Sequence, residues 1–224
     1  MFKIKILAFF LFISITGYSQ TINWFSLQKE DRHIVSVNAG LEYSFVAGLG
    51  YGYQLRTKMP VVLTADFSMP FGENLLDDHK AKLGATFKFA KIGDVHFTGK
   101  VQGIFRRYES DFVRMVNFGS DVAATAGYYK RKWFVAGEIG FDKAIVTNFK
   151  HSQLYKDVYP NVQDGWYEPA TGGNFYYGLQ SGLSFKHSDL TLKLGKIATQ
   201  DFKTTPGIPF YLQLGYSVRC GAKK

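Results

Sequence analysis

Residues 35–55, VSVNAGLEYSFVAGLGYGYQL, alternate between apolar and small or polar side chains. All odd positions from Val35 to Leu55 are apolar or aromatic, while most even positions are Ser, Asn, Gly, Glu or Gln. A period of two puts odd and even residues on opposite faces of a β-strand, and a helix does not repeat in this way. The stretch is longer than the roughly 9–11 residues that cross a membrane as one tilted strand. We therefore predict two strands with a tight turn at residues 42–46.

The same alternation recurs along the rest of the chain, in runs that turn residues separate. The further runs are 61–67, 81–89, 95–105, 116–128, 133–141, 175–185, 190–194 and 210–218. With the first two strands they predict an all-β chain of about ten strands. Eight strands are also possible, because the run at 190–194 is short and weakly patterned.

The N-terminal residues have the three parts of a secretory signal peptide. Two lysines precede an apolar run at 6–15, and small residues stand before a cleavage site between Ser19 and Gln20. That run is too short for a membrane helix, and no later apolar run reaches about 18 residues. We expect export and the following division: a signal peptide at 1–19, a periplasmic N-terminal segment at 20–33, a barrel at 34–220 and a C-terminal tail at 221–224.

Short and longer connections alternate between the predicted strands. The short ones are 56–59, 90–94, 130–132 and 186–188, and the longer ones are 69–78, 107–114, 145–172 and 199–207. Outer-membrane barrels typically have short periplasmic turns and longer outer loops. On these features, residues 34–220 resemble the small outer-membrane β-barrels of the OmpA-like and porin-like type. The resemblance implies a transmembrane antiparallel up-and-down β-barrel in the cell outer membrane.

The last predicted strand partly fits this resemblance. In these barrels the final strand ends the protein with an aromatic residue that the assembly machinery reads. Phe210, Leu212, Leu214 and Tyr216 fit such a strand, but the chain continues past Val218 to two lysines. The alternative is a soluble secreted β-sandwich or lipocalin-like barrel, which would turn the apolar face inwards. Aromatic residues gathered near strand ends favour the membrane barrel, whose aromatic girdles lie at the interfaces.

Charged side chains lie on the polar face of the predicted strands and would point into the lumen. This lumen charge network comprises Glu42, Asp66, Lys80, Lys82, Lys88, Lys100, Asp121, Glu138, Asp142, Lys193 and Arg219. Because an unpaired charge is costly in a narrow interior, we expect ion pairs across the lumen. A barrel of about eight to ten strands leaves little free interior. These considerations favour a closed, salt-bridged lumen over a polar channel.

Two segments are candidates for binding a partner. The connection at 145–172 carries the aromatic residues Phe149, Tyr155, Tyr159, Trp166 and Tyr167, and it could bind a partner or fold over the barrel mouth as a lid. The segment before the barrel carries Trp24, Phe25 and Leu27. It could pack against the periplasmic rim, enter the lumen as a plug or dock a partner.

Signals for catalysis are weak. His151–Ser152 and His187–Ser188 are adjacent pairs, which would point to opposite faces of a strand and form no dyad. The stretch 77–79, Asp-Asp-His, resembles the acidic pair and His of ten-stranded outer-membrane proteases, but we expect none of the tall outer extensions of those enzymes. No motif for a metal, a phosphate or a nucleophile occurs. We therefore predict no enzyme activity, no cofactor and no catalytic or metal-binding residue.

The net charge of +9 raises nucleic acid as a partner, but the positive charges are spread over predicted turns near lipid headgroups. We expect outer-membrane lipid as a partner, and possibly other outer-membrane or periplasmic proteins, but no nucleic acid. The leading hypothesis is a structural or accessory subunit of an envelope assembly. The alternative is a narrow channel for small polar solutes, and the third hypothesis is a lipid-active enzyme.

Overall fold

The computed structural model describes residues 21–71, 77–169 and 172–221. The predicted signal peptide and the last three residues of the predicted tail lie outside the described residues. Within the described ranges the chain forms eleven strands and one short helix. They are β1 (Asp31–Leu41), β2 (Phe45–Gln54), β3 (Val61–Pro70), β4 (Asp78–Ile92), β5 (Val95–Glu109), β6 (Val113–Tyr129), β7 (Trp133–His151), α1 (Gln153–Val158), β8 (Gly165–Tyr167), β9 (Gly173–Ser184), β10 (Ser188–Thr199) and β11 (Phe210–Gly221).

Ten of these strands close into an antiparallel barrel, which confirms the predicted architecture. Each strand pairs with the next one in the chain, except that β7 pairs with β9 and β11 returns to β1. The short β8 pairs with β7 at residues 147–149, beyond the part of β7 that β9 covers. The first turn covers residues 42–44, inside the predicted interval.

The apolar face of the barrel points outwards. Leu49 and Leu83 expose 47% and 67% of their surface, whereas Ser36 and Thr64 expose 3% and 5%. A soluble β-barrel or sandwich buries its apolar face, so this distribution excludes the soluble alternative. The polar side chains that would be solvated in a soluble protein are packed inside the ring of strands.

Glycine lets neighbouring strands approach closely at several positions, of which Gly84 and Gly178 are interior-facing examples. A Cβ atom on Gly84 would lie 2.0 Å from the carbonyl oxygen of Val101, and one on Gly178 would lie 2.1 Å from that of Leu194. Both collisions are with backbone, which cannot rotate away. These positions therefore accept no larger residue without a shift of the strands.

The wall of the barrel is taller on one side. Strands β6 and β7 have 17 and 19 residues, whereas β2 and β3 have 10 each. Two predicted loops were therefore partly wrong: residues 107–114 are mostly strand around a three-residue turn, and residues 145–151 belong to β7. We call residues 113–118, 145–151, α1 and β8 the β6–β7 extension. It is the tall extension that we did not expect from the sequence.

A β-bulge explains why the sequence pattern concealed this extension. Phe118 pairs with Val146 and Gly119 with Ala144, so Ile145 is an extra residue in β7. The inward positions of β7 are consequently even before the bulge, as at Glu138, and odd after it, as at Thr147. A bulge shifts the alternation by one residue, and the pattern then no longer reads as one strand.

Candidate functional site

The interior of the barrel contains a cavity of about 340 Å³ on the side of the longer loops. Its wall is formed by inward-facing residues of several strands, and its outer part by the 206–208 stretch of the β10–β11 connection. Five acidic and five basic side chains line it: Glu42, Asp66, Asp121, Glu138 and Asp142, with Lys80, Lys82, Lys100, Lys193 and Arg106. The cavity is therefore polar, with equal numbers of positive and negative groups.

Asp121 is the centre of the charge network. Its Oδ2 atom accepts hydrogen bonds from Lys100 Nζ at 2.9 Å and from Lys82 Nζ at 3.2 Å, and its Oδ1 atom accepts one from the Tyr176 hydroxyl at 2.6 Å. The partners come from β4, β5 and β9, so one carboxylate on β6 joins four strands. Asp121 is 1% exposed. Such a buried carboxylate is stable because charged donors compensate for its lost hydration.

Lys82 connects this centre to a second carboxylate. Its Nζ atom lies 3.7 Å from Glu42 Oε1, which also accepts a hydrogen bond from Lys80 Nζ at 2.8 Å. The other oxygen of Glu42 accepts one from Gln213 Nε2 at 3.2 Å. Strand β4 therefore presents a row of lysines to acids on both sides of the lumen.

The remaining acids have different partners. Lys193 Nζ lies 2.9 Å from Glu138 Oε2, and Gln102 Nε2 donates to Asp66 Oδ2 at 2.8 Å. The Oδ1 atom of Asp66 is buried and accepts no hydrogen bond from the residues that the structure describes. Asp142 Oδ1 accepts from the Asn174 side chain at 3.1 Å. The acids of the cavity wall therefore differ in how fully they are paired.

Two residues of the predicted network do not line the cavity, and one residue of the wall was missed. Lys88 and Arg219 lie on β4 and β11, nearer the short turns, away from the cavity wall. Arg106 was not among the predicted lumen residues, but it points inwards and forms a bidentate ion pair with Asp78 at 2.7 and 2.9 Å. The phase of β5 could have identified it, since Lys100 and Gln102 are also even-numbered and face the lumen.

The N-terminal segment closes the short-turn end of the barrel. We call residues 21–27 the plug. Ile22 and Trp24 are each 5% exposed and pack in one cluster with wall residues that include Tyr129 and Phe134. A small cavity of about 40 Å³ separates the plug from the layer of Lys100, Glu138 and Lys193. Three placements of this segment were considered from the sequence. In the structure the segment enters the lumen as a plug.

Polar contacts attach the plug to the wall. Asn23, which is fully buried, donates to the carbonyl oxygen of Lys130 at 2.9 Å and to Ser184 Oγ at 2.7 Å. Arg219 donates to the carbonyl oxygen of Ser26 at 2.7 Å and to its hydroxyl at 2.9 Å. The same guanidinium donates to Asp189 at 3.3 Å and to the Phe185 carbonyl at 3.1 Å. Arg219 thus joins the plug, β11 and the β9–β10 turn.

The aromatic residues of the 145–172 segment pack within the β6–β7 extension. Tyr155 stacks on His151 at 5.1 Å and contacts Tyr159 at 4.9 Å, and Phe149 meets Tyr167 edge-on at 5.6 Å. None of the described residues of this segment lines the cavity, so the predicted lid is not formed by them. Trp166 lies on the opposite face of β8 from Tyr167, and its ring stacks on Phe118 with 6.2 Å between the ring centroids. The role of the aromatic residues of the 145–172 segment in binding a partner stays a prediction.

Both His–Ser pairs take part in local hydrogen bonding. In the β9–β10 turn, the carbonyl oxygens of His187 and Ser188 accept from the backbone N–H groups of Arg219 and Phe185, each at 2.7 Å. Ser152 is the N-cap of α1, and its hydroxyl accepts from the backbone N–H of Tyr155. His151 Nδ1 lies 3.0 Å from Asp164. The His151 N–H and the Lys156 ammonium donate to Asp164 and hold the pKa of this loop carboxyl well below its usual range. In the 77–79 stretch, Asp78 bonds Arg106 while His79 packs on Phe67 and Phe105 on the outer face.

Two further searches concern the described residues only. No group of three or more His, Cys, Asp or Glu side chains in those ranges could hold a metal ion. Among the same residues, no helix has the length and apolar character needed to cross a membrane.

An apolar outer surface, a charged interior and full closure of ten antiparallel strands define a transmembrane β-barrel. No protein-family model matches the chain, and no curated protein matches it. Solved structures with a similar fold include a KdgM porin in complex with disordered oligogalacturonate. That match has a TM-score of 0.42 and 5% sequence identity, and it covers 84% of this chain and 99% of the porin.

Proposed function

We propose that the protein is a narrow outer-membrane channel for small polar solutes, with the plug as its periplasmic closure. The observation that supports this proposal is the charged cavity inside the barrel. A cavity of about 340 Å³ lined by ten charged side chains offers a small polar solute both room and bonding groups inside the barrel. The role of a structural or accessory subunit stays a prediction that co-purification would test.

The solute path would run from the longer loops to the plug. It passes the mouth at residues 206–208, then the cavity, then the layer of Lys100, Glu138 and Lys193. Beyond this layer the small cavity ends at Ile22 and Trp24. Conduction therefore requires the plug to leave the lumen, and the wall charges then set which solutes pass.

The equal numbers of acidic and basic groups indicate weak selectivity between cations and anions. A ring of one sign attracts its counterions, whereas a mixed wall favours neutral or zwitterionic solutes that can bond to both kinds of group. We expect the reversal potential in a KCl gradient to lie near zero. Replacement of Lys100 by Gln removes one positive charge beside Asp121. The selectivity of the channel should then shift toward cations, which the reversal potential would show.

A reversible cross-link of the plug provides the experiment. In a Cys220→Ser background, Asn23→Cys and Ser184→Cys introduce one cysteine in the plug and one in the wall. The two native side chains are in contact, with 2.7 Å between Asn23 Nδ2 and Ser184 Oγ. The oxidised barrel should show no unitary steps in a planar bilayer, and a reductant should restore the activity of the background protein. As a matched pair, Trp24→Ala should raise the open probability, while Trp133→Ala, on the lipid-facing wall, should not.

Three results would refute the channel. A folded Trp24→Ala barrel without unitary steps would mean that the lumen does not conduct even when the plug is loosened. Steps that persist in the oxidised cross-linked variant would place the conduction outside the plugged lumen. A stoichiometric partner from mild-detergent extracts, together with absence of conductance, would instead favour the accessory subunit.

A further inference from the structure

The outer surface carries basic residues just beyond the apolar belt, on the side where the wall is tallest. On β6 the lipid-facing positions Tyr128, Val122 and Phe118 are 38%, 49% and 44% exposed. The strand between Tyr128 and Phe118 is ~33 Å long, or ~25 Å along the membrane normal at a tilt of about 40°. This equals the usual height of the apolar band. Phe118 therefore marks the outer edge of the hydrocarbon.

Beyond Phe118 the outward face becomes basic. Arg114 is exposed on β6, and Lys150 lies directly opposite it on β7. Like charges that face each other across two strands repel, so the pair destabilises an isolated sheet. Among the described residues neither side chain forms an ion pair with an acid. The acid opposite Arg114 on β5 is Glu109, and its carboxylate is paired with Arg107.

A third basic residue lies closer to the belt. Lys143 follows the cavity-lining Asp142 on β7 and therefore points to the outer face. It pairs in register with Ser120 of β6, two residues from Phe118. A lysine at this depth can extend its ammonium group toward the headgroups. We call Arg114, Lys143 and Lys150 the outer basic patch.

An aromatic surface joins this patch to the lipid-facing wall. Trp166 is 58% exposed, stacks on Phe118 at 6.2 Å and pairs in register with Asn148, between Val146 and Lys150 on the outward face. Trp at this level is typical of a membrane interface. Arg114 lies ~13 Å further along the strand than Phe118, or ~10 Å along the normal, at the level of polar headgroups.

We propose that the outer basic patch binds the phosphate groups of an outer-leaflet glycolipid, with its acyl chains against Phe118 and Trp166. The phosphates would lie between Arg114 and Lys150 and remove the repulsion between them. Arg and Lys together bind phosphate through charge-assisted hydrogen bonds. The occupant is a lipid and not a free anion, because the patch continues the belt that lipid already covers. This site is separate from the lumen and does not depend on the proposed channel.

Native mass spectrometry of the full-length barrel in a neutral detergent, with added purified lipid A, tests the proposal. The wild type should retain lipid A, and Arg114→Gln with Lys150→Gln should weaken retention by at least about tenfold, as expected for lost bonds to a charged group. The control replaces two exposed cations of the short turns, Arg131→Gln and Lys186→Gln, and should leave retention unchanged. Heat-modifiable migration on gels checks that each variant is folded.

A second pair of measurements separates phosphate binding from other causes. Arg114→Lys with Lys150→Arg keeps both charges and should restore most of the retention. Dephosphorylated lipid A should bind to the wild type no better than it binds to the Gln variant. Equal retention by the wild type and the folded Gln variant would overturn the proposal. So would an equal loss in the short-turn control, because this would show unspecific attraction.

Discussion

Replacement of Arg219 by Met should release the plug. The guanidinium makes two hydrogen bonds to Ser26 of the plug, at 2.7 and 2.9 Å, and it is 4% exposed. A bond from a charged donor contributes about 1.5 kcal/mol at the lower end of its range, so two contribute ~3 kcal/mol. Since 1.4 kcal/mol is a factor of ten, the ratio of open to closed plug should rise by about 150-fold.

Hydrogen exchange of the plug measures this ratio directly. The backbone N–H groups of Ser26 and Leu27 are bonded to the Asn23 carbonyl oxygen at 3.1 Å, and they exchange when the plug opens. We expect their exchange to accelerate by the same factor, about 150-fold, in Arg219→Met. Arg131→Met removes an exposed cation from the same rim and should leave the exchange unchanged. The amides of β2 and β3 report whether the barrel itself has loosened.

The variant also removes a partner of Asp189, which is 1% exposed. An unpaired buried carboxylate costs about 3–5 kcal/mol and would destabilise the wall as well. Arg219→Met with Asp189→Asn avoids this charge and should still release the plug. If the plug exchanges at the wild-type rate in both variants, the Arg219 contacts do not hold it. If plug and strands accelerate equally, Arg219 stabilises the barrel and not the plug specifically.

Three further predictions concern other parts of the barrel. Asp121→Asn leaves Lys82 and Lys100 without their shared anion and should lower the free energy of unfolding by about 3–5 kcal/mol, which urea titration in detergent would measure. Gly84→Ala should reduce the yield of folded barrel on gels, because its Cβ meets neighbouring backbone at 2.0 Å. Backbone N–H donors of its own turn lower the pKa of Asp201 to about 2. This loop should therefore be ordered above about pH 4 and loosen toward pH 2, unlike in Asp201→Asn, as amide shifts would show.

Much of the fold follows from a single physical rule. Alternation with period two predicted the strands, their number and the sides on which Leu49 and Ser36 lie. The alternation cannot by itself decide which face meets lipid, but the length of the strands and the aromatic ends favoured the membrane. The prediction failed where Ile145 adds one residue to β7. Beyond such a bulge the alternation continues in the opposite phase, and the height of the β6–β7 extension was missed for that reason.

The interior was predictable as a set of charges but not as a shape. Strand phase placed Asp121 and Lys100 in the lumen, whereas the cavity depends on which side chains meet across it. The same limit applies to the plug. Trp24 was recognisable as an apolar residue before the barrel, but its position depends on contacts with Tyr129 and Phe134, far along the chain. No local pattern encodes such contacts.

The contact between Ser26 and Arg219 joins the segment that precedes β1 to β11, the last strand of the barrel. Arg219 lies on β11, which pairs with β1 on one side and with β10 on the other. An open seam between β11 and β1 would separate β1, which follows the plug, from the strand that carries Arg219. The plug therefore has its full set of contacts only in a barrel that is closed at this seam, and the Arg219–Ser26 contact links docking of the plug to closure of the ring.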